Sequence, residues 1–146
     1  MEKLLFDTGV KEYRLGVGGV LRFNPGDPNL YARFLEAAEK ISQIEEDMIR
    51  SAKAENCEDT GAAILKLLQE ADQKMKQTLN WVFGHENDFD KLLGGVNLLA
   101  VGANGKRVVS NLFDALQPIL LEGAQSCARE KTQEAVKQAK ARRSKQ

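Results

Sequence analysis

Between Phe83 and Lys106 the chain reads FGHENDFDKLLGGVNLLAVGANGK, and five glycines, at 84, 94, 95, 102 and 105, interrupt it. A glycine inside a helix costs about 1 kcal/mol relative to alanine, so no single helix is expected through this spacing. The segment nevertheless keeps Phe89, Leu92, Leu93, Val96, Leu98, Leu99 and Val101. A solvated connection would be polar. What folds here is a turn-rich apolar stretch that must be buried, either in the chain's own core or against a partner.

The flanks are helical in pattern. Asp27-Pro28 is a helix start, an aspartate cap followed by a proline where the missing N–H costs nothing. From there Leu30, Phe34, Ala37, Ile41, Ile44 and Met48 recur at steps of four and three, one apolar stripe on a helix of about six to seven turns. The polar run from Ala54 to Thr60 ends that pattern. A second helix is expected from Asp59 or Thr60, with Ile64, Leu67, Leu68, Ala71, Met75, Leu79 and Val82 on one face and Gly84 as its stop. Asn87 or Asp88 can cap a short helix through Leu93 that Gly94-Gly95 ends. A last helix is expected from Asn104 or Gly105, carrying Val109, Leu112, Phe113, Leu116, Ile119 and Leu120, with a kink or a break at Pro118.

Residues 3–23 have a period of two instead. Leu4–Phe6, Tyr13–Val17 and Val20–Phe23 are short β-leaning runs separated by Thr8-Gly9 and Gly18-Gly19, which reads as an antiparallel hairpin or three-stranded meander. So small a sheet needs helices, or another subunit's edge, to be stable. The expected fold is mainly α: N-terminal strands over residues 1–24, about four helices in one domain to residue 128, and a basic tail over 129–146.

Of 146 residues, 42% are hydrophobic and 29% charged, which excludes wholesale disorder and gives enough apolar mass for one core. Lysine plus arginine balances aspartate plus glutamate at 21 each, so no global field draws the chain to nucleic acid or membrane. The balance is uneven along the chain. Residues 25–60 hold nine acids against four bases, whereas residues 128–146 hold seven bases against two acids. The basic tail, Arg129, Lys131, Lys137, Lys140, Arg142, Arg143 and Lys145, lacks interleaved aromatics, so a solvated helix end is favoured over a nucleic-acid site. Its charge complements the first helix, and a salt-sensitive intramolecular or head-to-tail contact is a fair expectation.

No residue set carries catalysis. Gly16-Val17-Gly18-Gly19 precedes another strand rather than a helix, so it is a hairpin turn and not a phosphate loop. His85 stands alone beside Glu86, Asp88 and Asp90, without a second histidine or an EF-hand spacing. Cys57 and Cys127 lie in no metal or redox spacing, and isolated cysteines suit a reduced compartment. There is no apolar leader and no run of about 18 apolar residues for a membrane helix, so the expected compartment is the cytoplasm. No catalytic, cofactor or metal residues are assigned.

One likeness goes further. Trp81-Val82-Phe83-Gly84, then Asp88-Phe89-Asp90-Lys91-Leu92-Leu93-Gly94-Gly95-Val96-Asn97, then Asn111-Leu112-Phe113, Leu116 and Pro118-Ile119-Leu120 stand in a characteristic order and spacing. Over residues 28–125 the chain resembles the small tail assembly chaperones of phage and prophage tail-gene clusters. The resemblance implies a mostly helical, non-enzymatic, self-associating protein that coats the tape-measure protein, in the bacterial host cytoplasm, while the tail tube grows. The candidate client surface is Phe83, Phe89, Leu92, Leu93, Val96, Leu98 and Leu99, with completion of the core as the competing reading of the same seven. The alternative function is a structural virion component, a tail-tube or head–tail connector subunit. A nucleic-acid-binding regulator is weaker still, resting on the tail alone.

Overall fold

Asp27 starts the first helix as its chemistry dictates: its carboxylate accepts the Asn29 N–H at 2.9 Å and its carbonyl the Tyr31 N–H at 3.2 Å. The computed structural model describes residues 1–16, 18–54 and 60–144, so Val17, Cys57, the proposed start at Asp59 and Lys145 lie outside the described residues. Two strands, β1 (Lys11–Arg14) and β2 (Val20–Phe23), precede four helices: α1 (Pro28–Ala54), α2 (Thr60–Phe83), α3 (Phe89–Leu92) and α4 (Val108–Ser144). The molecule is mainly α with an N-terminal antiparallel hairpin.

Helix α1 buries Leu30, Phe34, Ala37, Ile41 and Met48, the stripe drawn by the four-three spacing. It packs along α2, whose Ala71, Met75, Leu79 and Val82 are buried in the same core. The guanidinium of Arg33 donates to the Val82 carbonyl at 3.0 Å, tying α1 to the last turn of α2. The first part of α4 closes the core with Val109, Leu112, Leu116 and Leu120. Phe34 and Phe113 meet there, ring centroids 5.2 Å apart.

The hairpin covers one end. Leu21 and Phe23 on its inner face are buried, and Tyr13 stacks on Phe23 at 4.7 Å. From Phe23 an aromatic chain continues to Phe83 at 5.1 Å and on to Phe89 at 5.4 Å, joining hairpin, α2 and α3. Two glycines permit the close approaches that seat the hairpin. A Cβ on Gly19 would lie 2.6 Å from the Leu92 carbonyl oxygen, and one on Gly123 would lie 1.9 Å from that of Pro25. The second contact presses the Pro25-Gly26 turn against α4.

Two expectations are corrected. Leu4–Phe6 form no strand; the sheet has two strands, and residues 1–6 are exposed. A three-residue apolar run gains strand structure only beside a partner, and the described chain gives it none. Helix α4 starts at Val108, not at Asn104 or Gly105. Residues 102–106 instead form a tight turn, with Gly102 N–H bonded to the Lys106 carbonyl at 2.7 Å and a Val101–Arg107 bridge closing it. Helix α4 is long and continues through Pro118, so of the two outcomes expected there, a kink or a break, the helix is not broken. Pro118 and Asp114 both occupy exposed positions, so water can satisfy the carbonyl that loses its partner. Leu116 and Leu120, both buried, hold the helix on either side.

Candidate functional site

The glycine-broken segment is built into the core by side chains that take the place of regular backbone bonds. Asp88 caps α3 by accepting the Asp90 N–H, and Gly94 and Gly95, at φ of +63° and +78°, end it. There the Gly95 N–H reaches back to the Asp90 carbonyl and the Gly94 N–H to that of Lys91, a glycine C-cap. Asn80 on α2 accepts the Phe89 N–H at 2.9 Å. Asn97 donates to the Leu68 carbonyl and accepts the Leu99 N–H. Further along, the carbonyls of Ala100 and Leu98 accept the N–H groups of Val108 and Val109, so the segment itself caps the start of α4.

At the centre stands an ion triad that the sequence reading missed. Lys76 on α2 is 4% exposed and contacts Asp72 at 2.9 Å and Asp90 at 2.6 Å. Asp72 also accepts the Leu98 N–H at 2.8 Å, so one carboxylate serves both the lysine and the segment's backbone. Burial is the largest influence on the ammonium and lowers its pKa. Hydrogen bonds and charge from Asp72 and Asp90 together outweigh it, leaving the pKa above the ordinary 10.5. A signal was available in the sequence: Asp72 and Lys76 stand at i and i+4, flanking the core residue Met75.

These bonds settle where the seven candidate surface residues lie. Phe83, Phe89, Leu93, Leu98 and Leu99 are buried, Leu92 is half-buried, and Val96 alone is exposed, at 38%. They do not form one surface. Five of the seven are buried beside the caps and the triad, which favours the core-completing reading of the set over the client-face reading. A neighbouring cleft of about 610 Å³ is lined by polar side chains including Gln69, Gln73, Gln77 and Asn80. Its charged wall is the paired triad together with Asp88, the cap of α3.

The exposed features lie elsewhere. From Ala128 to Arg143 every residue of α4 is exposed, including Arg129, Lys131, Lys137, Lys140, Arg142 and Arg143 of the basic tail. The tail is a continuation of a regular helix and is not buried against α1. Trp81 is part-exposed on α2, with the Lys40 ammonium 4.5 Å above its ring. Leu4, Leu5 and Phe6 are 89%, 90% and 77% exposed.

Among the described residues no group of three or more His, Cys, Asp or Glu is placed to hold a metal ion, and every buried side-chain nitrogen or oxygen has a hydrogen-bond partner. His85 is exposed, and Cys127 is a free thiol on α4. None of the described helices is long and apolar enough to cross a membrane. Set against known proteins, the chain matches no family model, no curated protein and no solved structure.

Proposed function

We propose that the chain is a non-enzymatic assembly protein that binds an elongated helical client, and that the client is a phage or prophage tape-measure protein held in the host cytoplasm during tail growth. The observation that carries the reading is the exposed C-terminal half of α4. A regular helix of this length, at 1.5 Å rise per residue, projects about 24 Å of basic, thinly apolar surface from Ala128 to Arg143. Alone in water such a sequence gains little from burial, and helix stability in proteins comes mostly from packing. Its Ala128, Thr132, Ala135, Val136 and Ala139 recur at helical steps between the bases, the pattern of a helix laid against another helix. On this reading the client lies along the tail rather than on the seven apolar residues of the glycine-broken segment.

Co-expression with the tape-measure protein of the same gene cluster, followed by pull-down and measurement of complex mass, tests the proposal. The full chain is expected to be retained with several copies per client, and a chain ending at residue 128 to be lost. Absence of any complex, or a complex indifferent to the truncation, overturns it. Recovery of the protein from purified particles would instead favour the virion-component reading. Salt-dependent retention on DNA, without client binding, would favour the regulator.

A further inference from the structure

The hairpin has one closed edge and one open edge. The Leu15 N–H donates to the Gly19 carbonyl, and the register pairs Tyr13 with Leu21 and Lys11 with Phe23. By antiparallel alternation these are the mutually bonded pairs, so Glu12 and Arg14 on β1, and Arg22 and Val20 on β2, point their amides and carbonyls outward. On β2 the outward groups of Arg22 are both taken by Asn87: its Oδ1 accepts the N–H at 3.0 Å and its Nδ2 donates to the carbonyl at 2.8 Å. One side-chain amide acts as a stand-in for a third strand. On β1, among the described residues, no strand lies beside Glu12 and Arg14, since the sheet ends there.

Beside β1 runs a groove of about 300 Å³, lined by Lys11, Tyr13, Pro25, Ile119, Glu122 and Gly123. An open edge next to a groove that offers apolar groups, here Tyr13, Pro25 and Ile119, is the arrangement that receives an added strand. Main-chain bonds supply affinity there, and alternate side chains enter the groove. The same chain carries a fitting strand that has no partner: Leu4-Leu5-Phe6, β-leaning, apolar and almost wholly exposed. The arm does not lie on its own open edge. Asn24, just after β2, donates to the Thr8 carbonyl at 3.0 Å, and the Gly9 N–H bonds to Asp7, which holds residues 7–9 beside the end of β2.

We infer that the Leu4–Phe6 arm of one copy adds as a third strand to the β1 edge of a second copy, with Leu4 and Phe6 on the face that meets the groove. This self-association uses neither the client nor the basic tail, and stands or falls apart from the proposed function.

Light scattering over a concentration series, with three proteins, tests it. The wild-type chain is expected to rise in mass from monomer to dimer or higher. Leu4→Asp with Phe6→Asp removes the apolar arm, which makes no core contact, and Glu12→Pro removes one outward amide at a position where an edge strand tolerates proline. Each variant is expected to stay monomeric with the melting temperature of the wild type. Mixed in equal amounts they should form a complex, because one still offers an edge and the other an arm. A wild-type chain monomeric at every concentration overturns the inference. So does association that survives the arm variant, or that is lost on removing residues 129–146 instead. Should Glu12→Pro unfold, the arm variant decides alone.

Discussion

Two stretches of this chain differ in opposite directions from what their regularity suggests. The segment from Gly84 to Arg107 has one four-residue helix and repeated turns, yet it holds some of the most deeply buried side chains, Phe89 and Leu98. The C-terminal half of α4 is unbroken helix, yet all of it from Ala128 to Arg143 is exposed. The contrast teaches that anchoring, not backbone regularity, decides what belongs to the core. The irregular segment is held by Asp72, Asn80, Asn97 and the glycine caps, each matched to a particular backbone group. The regular tail has propensity and charge, but every residue from Ala128 to Arg143 is exposed.

The contrast can be broken most strongly at Phe89. Truncation to alanine removes a fully buried ring from the aromatic chain and should cost about 3–5 kcal/mol, read by denaturant unfolding. A loss near zero would mean that the segment is not core. Next comes the triad. Lys76→Met leaves Asp72 buried without its cation and should cost about 3 kcal/mol at neutral pH, the low end of a broken buried pair because Asp90 is largely exposed. The wild type carries a pH signature too. Because the folded pKa of Lys76 is raised, its stabilisation is complete below the ordinary 10.5 and fades as the pH climbs through the folded value. Melting of the wild type should therefore fall in that alkaline range, and Lys76→Met should flatten the fall.

A smaller effect, diagnostic by its sign, is expected at Gly123. Alanine in a helix normally stabilises by about 1 kcal/mol relative to glycine. Here the added methyl meets the Pro25 carbonyl, so Gly123→Ala should destabilise, by about 1–3 kcal/mol. Stabilisation would show that the Pro25-Gly26 turn does not rest on α4. Smallest of all, deleting residues 129–146 should leave the melting temperature of the body unchanged, since the described residues from 129 to 143 are all exposed.

What could be read in the sequence was what local chemistry determines. The Asp27 cap, the stripe of α1, the Gly84 stop and the Asp88-to-Gly94 bounds of α3 all depend on neighbours a few residues away, and all stand in the structure. What escaped depends on partners distant in the chain. Asn104 resembles a helix cap, but its carboxamide pairs with Asn111 and accepts the Lys106 N–H inside a turn. Leu4–Phe6 resemble a strand that has no sheet to join. The candidate surface was read from apolar content alone, whereas bonds from the Leu98 and Phe89 amides to Asp72 and Asn80 on α2 help to turn most of it inward. Asn87, which closes the β2 edge 65 residues away, gives no local sign of that role.

Native-state amide hydrogen exchange compares the two stretches in one measurement. The Leu98 amide, bonded to Asp72, should exchange only through opening of the whole molecule, as slowly as the amides of Met75 and Leu79 in α2. The amides of residues 130–143 should exchange many-fold faster by local fraying. Leu98 exchanging as fast as the tail would contradict the account.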